Sequence, residues 1–324
     1  MPWSALPEGI LTRVLSRLAD DPGSISWGTA MLVCRDWASA VPTCVKSLIV
    51  KDAFLDCPQT RNMCELERLT WVDGLITSSE VVPFALPSLR ELNLHFSILE
   101  AVMSFQIDNG RGFRLLRECF PSLESLSIWD CTVDEVPSWV PLQARLLSLE
   151  PLADLPSLTA LNLTGVCWIN VATIPSKIRS LKISNMDVPM AELHSAVGGS
   201  LTSLEMQDCG LRIGIRGIGM FRDTLNSLVI SNCYEIFRRD IEELGTLLHL
   251  ETLVIMGAES LFEHYRYNES IEGFGNLTTL RSLTLSATCL ITLPEDARVL
   301  ARLVGLESLI IDGVAIDVMS LRTA

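Results

Sequence analysis

One arrangement of apolar positions, LxxLxL, governs most of the chain. It appears as LERLTW from Leu66, LRELNL from Leu89, LESLSI from Leu123, LTALNL from Leu158, IRSLKI from Ile178 and LTSLEM from Leu201. It continues as LNSLVI from Leu225, LETLVI from Leu250, LRSLTL from Leu280 and LESLII from Leu306. VKSLIV from Val45 fits the same template and reads as a capping strand, which makes about eleven copies at intervals of roughly 20 to 35 residues. Within a copy the alternation has period two, so each copy predicts a strand with one buried face. In LESLSIWDC, Leu126 and Ile128 turn inward while Ser125, Ser127 and Trp129 turn outward. FRLLRECF, AELHSAVG and RDIEELGTLL fall between copies and carry the spacing of helices. The longer intervals follow Leu94, Ile128 and Ile255, and their extra residues belong on the rims or the convex side. One copy has too little apolar surface to fold alone. Stacked copies share a continuous core, and their strands form a parallel sheet along the concave side of a solenoid.

These copies resemble the leucine-rich-repeat family. At the ninth position, where that family's motif has Asn or Cys, three copies carry Cys131, Cys209 and Cys233, while others carry Val166, Met186, Ala258 or Thr288. The late copies, such as NLTTLRSLTLSATCLITLP, resemble plant-type repeats.

The opening segment follows a different pattern. Ile10, Leu11, Val14, Leu15 and Leu18 lie at helical spacing behind Pro7, a residue suited to the first turn of a helix. DDPGS breaks that helix, Ser24 can cap a second one through Trp27 and Met31, and VCRDW leads into a third. Three short helices in about 40 residues are near the lower limit for an independent core, which leaves apolar surface for a partner. The order LPxxIL, VLxxL, then VCRDW resembles an F-box across roughly residues 3 to 44. That resemblance implies docking onto the Skp-type adaptor of a cullin-RING ubiquitin ligase. Leu6, Pro7, Ile10, Val14, Leu18, Val33 and Trp37 are the residues matching its motif. The bland alternative is that these helices only cap the exposed end of the repeats, as terminal repeats require.

Composition narrows the partners. A net charge of −14 repels phosphate backbones and anionic lipid, which argues against nucleic acid and membrane surfaces. No apolar run approaches the roughly 20 residues of a membrane-spanning helix, and MPWSALPEG lacks the basic and apolar stretches of a leader. Ten cysteines without a CxxC pair read as reduced thiols, which favours a cytoplasmic or nuclear location.

Catalytic chemistry finds little support. The four histidines are scattered, without HExxH spacing, and GIRGIGMF has neither the GxGxxG order nor a P-loop lysine. We therefore expect no enzyme, no metal and no cofactor; the inositol phosphate used by plant members of this type needs a basic pocket that the concave positions do not offer.

The expected architecture is α/β: a three-helix F-box over residues 1–44 and a leucine-rich-repeat horseshoe over residues 45–324. The expected function is substrate recognition for an SCF-type ligase, with adaptor and cullin at one end and an unidentified target protein at the other. The alternative is a non-catalytic repeat scaffold. Candidate target contacts are the outward positions Asn93, His95, Phe96, Trp129 and Asp130, with Glu205, Gln207 and Asp208 further along. Trp129 stands out, since an outward-facing aromatic is the type most enriched in interface hot spots; the alternative is a tryptophan covered by the insertion after Cys131. A second candidate is the aromatic segment around Tyr265 and Tyr267, whose alternative is packing as a convex helix and turn.

Overall fold

The structure is a computed structural model that describes residues 46–51, 63, 65–72, 86–96, 116–130, 148–165, 169–186, 188–209, 215–233, 238–257, 271–286 and 294–312. The expected F-box (residues 1–44), Cys131 and the segment holding Tyr265 and Tyr267 lie outside the described residues. The chain divides into two compact units, Met1–Ala160 and Leu161–Ala324.

In the first unit, strands β1 (Ser47–Lys51), β2 (Arg68–Val72), β3 (Glu91–Phe96) and β4 (Ser125–Asp130) pair in chain order, all parallel. Each begins two residues after the first leucine of its copy, β1 after Val45 of the capping copy. The register places equivalent positions side by side: Leu48 opposite Leu69, Leu69 opposite Leu92, Leu92 opposite Leu126. A slip of one residue would turn every apolar side chain to the open face, so burial fixes this register. Leu66, Leu69 and Trp71, then Leu89, Leu92 and Leu94, then Leu123, Leu126 and Ile128 form the core beneath it. Just before each strand, two successive N–H groups share one carbonyl of the previous copy. Arg90 and Glu91 donate to Glu67 O at 2.8 and 3.0 Å, and Glu124 and Ser125 donate to Arg90 O at 2.8 and 2.9 Å.

In the second unit the same arrangement runs through β5 (Ala160–Thr164, crossing the boundary), β6 (Ser180–Ser184), β7 (Ser203–Gln207), β8 (Ser227–Ser231), β9 (Thr252–Met256), β10 (Ser282–Ser286) and β11 (Ser308–Asp312). The return segments are helices α1 (Met190–Val197), α2 (Arg238–Leu244) and α3 (Pro294–Ala301), with 3-10 turns at Val171–Thr173, Ile218–Phe221 and Glu272–Asn276. Helix α1 takes in the expected AELHSAVG up to Val197, with Gly198 as its C-cap, burying Met190, Leu193 and Val197 and resting His194 edge-on against Phe221 at 5.2 Å. Helix α2 stops at Leu244, short of the apolar pattern in RDIEELGTLL. There the return segments stack backbone on backbone: a Cβ at Gly245 would run into the Gly273 carbonyl, and one at Gly273 into the Ile241 carbonyl.

Two features close copies of the second unit after their strands. The first is a row of left-handed residues, Gly165, Asn185, Asp208, Asn232 and Gly257, with φ between 50° and 71°. Each donates its N–H to the last carbonyl of the following strand, as Asn232 does to Met256 O at 2.8 Å. Only Gly, Asn and Asp enter this region readily, which explains the residue types. Gly257→Ala is therefore expected to lower stability by about 1–2 kcal/mol through backbone strain, the added Cβ also meeting the Asn232 side chain. Urea unfolding measures it, and an unchanged midpoint would contradict this account.

The second feature is the thiol row. The single S–H of Cys209 lies within reach of the carbonyls of Ile183 (3.7 Å) and Gln207 (3.4 Å), and that of Cys233 within reach of those of Met206 (3.6 Å) and Ser231 (3.4 Å). These cysteines are thus donors to the preceding strand as well as small apolar fillers. The hydrogen bond with Cys209, reinforced by burial, pushes the Cys233 thiol up, and burial pushes Cys119 up to about 11. Cys119 and Cys233 are accordingly expected to resist a maleimide at pH 8 in the folded chain and to react once urea is added. Rapid native labelling of either, read by mass spectrometry, would count against their burial.

The last strand keeps the expected register, with Leu309 opposite Leu283, but not the expected burial. Leu309, an inward position by the repeat pattern, is 46% exposed and its neighbour Ile310 is 52% exposed. Among the described residues β11 is paired on one side only, with β10.

Candidate protein-binding surface

The open face of the first unit is built by β2, β3 and β4, whose outward residues meet in register. His95 on β3 lies directly opposite Trp129 on β4, and their rings stack with centroids 4.5 Å apart at a tilt of 36°. Trp129 remains 40% exposed, which places a large aromatic surface in solvent on a rigid strand. Val72 completes this row on β2, opposite His95.

A polar row runs beside it. Thr70, Asn93 and Ser127 are register partners across β2, β3 and β4. Asn93 Nδ2 donates to Thr70 Oγ1 at 3.3 Å and to Glu91 Oε1 at 3.0 Å. Glu91 in turn lies opposite Arg68. The structure thus brings together three of the expected target contacts, Asn93, His95 and Trp129. Phe96 and Asp130 are register partners at the ends of β3 and β4; their side chains lie outside the described ones. Thr70, Val72 and Glu91 join the site without having been singled out. Aligning the LxxLxL copies one above another would have found them, because parallel in-register pairing makes equivalent positions neighbours.

Glu205, Gln207 and Asp208 belong to the second unit. Glu205 is engaged by Lys182 on the adjacent β6, with Nζ to Oε1 at 2.6 Å and both side chains about a third exposed (34% and 36%). A pair this exposed contributes at most about 1 kcal/mol. Asp208 is one of the left-handed residues, so its backbone conformation already accounts for its type. Gln207 is the half-buried last residue of β7.

Along the edge where β2–β4 begin lies a polar trough of about 400 Å³, lined among others by Glu65, Glu67, Ser88, Arg90 and Glu124. Its charges are largely matched within the chain: Lys46 reaches Glu67 at 2.9 Å and Arg90 reaches Glu124 at 3.1 Å. The hydrogen bond from Lys46 holds the Glu67 carboxyl below the usual range. We read the trough as a solvated, self-paired rim. Among the described residues no group of three or more His, Cys, Asp or Glu could hold a metal ion, and no helix is long and apolar enough to cross a membrane.

No protein-family model matches the chain, and no curated protein matches it either. Solved structures do match. The mouse RP105/MD-1 complex aligns with a TM-score of 0.52 at 15% identity over 88% of this chain, which spans 45% of that chain's length. The Rad7 and Elc1 complex of yeast aligns at 0.49 and 17% identity, covering 93% of this chain and 81% of that one. The internalin inlF of Listeria monocytogenes str. 4b F2365 aligns at 0.40 and 16% identity, covering 98% and 93%. At such identities the likeness is one of fold.

Proposed function

We propose that this chain is the target-recognition subunit of an SCF-type cullin-RING ubiquitin ligase. The opening helices over residues 1–44 dock a Skp-type adaptor and, through it, the cullin, and the repeats hold the target protein. The observation that carries the target-binding half is the His95–Trp129 pair, an exposed aromatic surface held rigidly on adjacent strands. The stack on His95 accounts for the covered part of the indole; the 40% left exposed is area that a partner can bury as a hot spot. The adaptor-binding half is supported by the ordered match of Leu6, Pro7, Ile10, Val14, Leu18, Val33 and Trp37 to the F-box pattern. The chain supplies no nucleophile in this reading. It contributes orientation and effective concentration to a transfer performed by other subunits.

Affinity purification of the full chain from its own cells tests both halves. The wild type is expected to recover adaptor, cullin and a target. Trp129→Ala is expected to recover adaptor and cullin unchanged but to weaken the target by about 2 kcal/mol, roughly thirtyfold. Thermal unfolding of the variant is checked alongside. Loss of both partners would make Trp129 a folding residue, and a wild type that recovers no adaptor would favour the plain repeat scaffold.

A further inference from the structure

We infer that the surface around Trp129 recognises an arginine side chain of its target; this rests on the target-binding reading above. Three observations converge on that chemistry.

The first is the polarity of Asn93. Its amide has two hydrogens, and both are committed, one to Thr70 Oγ1 and one to Glu91 Oε1. Turning the amide over would press its oxygen against the Glu91 carboxylate, so the orientation is set by its neighbours. The group Asn93 can offer a visitor is therefore Oδ1, an acceptor. A target side chain satisfying it must be a donor.

The second is the exposed indole. Ring faces carry the negative lobe of the aromatic quadrupole and attract cations, with tryptophan the strongest case. A flat guanidinium can lie over such a ring and still present N–H groups at its edge, which a compact ammonium cannot do as well. Asn93 and Trp129 occupy diagonal positions on adjacent strands, a separation of roughly 7–8 Å. His95 lies against one face of the indole and Ser127 is small and buried beneath, so the guanidinium takes the exposed remainder of the ring.

The third is charge. Arg68 and Glu91 are register partners of opposite charge across β2 and β3, within the field of a chain whose net charge is −14. That field draws basic segments and repels acidic ones. An apolar side chain on the same surface would cover the ring but strand Asn93 Oδ1 without a partner, at a desolvation cost.

The test begins with a random dodecapeptide phage library panned on the full-length chain. Enriched peptides are then synthesised and titrated by fluorescence anisotropy against the wild type, Trp129→Leu and Asn93→Leu, each checked for unchanged thermal unfolding. The expected result is enrichment of arginine-containing peptides. Replacing that arginine by citrulline, which keeps the shape and removes the charge, weakens binding at least tenfold. Lysine weakens it about threefold, Trp129→Leu at least tenfold and Asn93→Leu about fivefold. Peptides that depend on Trp129 but tolerate citrulline would overturn the arginine assignment while leaving the surface as a binding site. Peptides indifferent to Trp129→Leu, or no enrichment, would overturn both this inference and the target-binding reading of this face.

Discussion

Leu204→Ala is expected to destabilise the repeats by about 2–5 kcal/mol, whereas Ser203→Ala, one residue earlier on β7, is expected to be nearly silent. Leu204 is fully buried and faces Leu181 on one side and Leu228 on the other, with Met206 also fully buried in the next inward position. Removing its isobutyl group leaves a cavity that the register cannot close, because neighbouring copies hold their strands at a fixed spacing. Ser203 sits on the open face, half-exposed, and forms no part of that core. In a stack where each copy contacts only its neighbours, the damage should spread to β6 and β8 before it reaches distant strands. Urea unfolding gives the magnitude and hydrogen exchange gives the spread. Equal effects at both positions would mean that the facing of β7 is inverted.

How far such a fold can be read in advance depends on which interactions set each part. The strands are readable because every copy brings two apolar residues at period two, with a third three residues earlier, and stacking gives them one solution. VKSLIV forms β1 for the same reason, although only Leu48 among its described apolar positions is buried. The row Gly165, Asn185, Asp208, Asn232 and Gly257 is not legible in the sequence, where these are ordinary polar or small residues. Their shared property is a backbone conformation that appears only when successive turns are superposed. The helical pattern of RDIEELGTLL overruns α2 because it records apolar spacing and not the close approach at Gly245 and Gly273. Leu309 follows the repeat pattern, yet its exposure depends on what covers β11.

The candidate site divides along the same line. The pairing of His95 with Trp129 follows from register and could be anticipated from aligned copies. The commitment of Asn93 to Thr70 and Glu91 depends on side-chain conformations across two strands, and no spacing rule encodes it. Glu205 looked available as an outward carboxylate, but the adjacent copy supplies Lys182 beside it. Outward charges on neighbouring parallel strands commonly pair in this way, which makes a lone outward charge weaker evidence for a partner than an outward aromatic.

The adaptor end admits an equally sharp prediction. Leu6 and Pro7 stand before the first apolar helical stretch, in the Leu-Pro turn that the F-box resemblance assigns to the adaptor interface. Residues buried at the centre of such an interface cost about 2 kcal/mol or more when truncated. The pair together should therefore weaken adaptor binding by at least about 2 kcal/mol, roughly thirtyfold or more. The double variant Leu6→Ala, Pro7→Ala is expected to recover adaptor and cullin at background while still recovering the target through the Trp129 surface. This pattern is the mirror of Trp129→Ala, and the two variants together separate a two-ended receptor from a scaffold with one binding face. A double variant that unfolds normally and still recovers the adaptor would remove the F-box assignment. One that loses the target as well, with the repeats still folded, would mean that the opening segment takes part in holding the target.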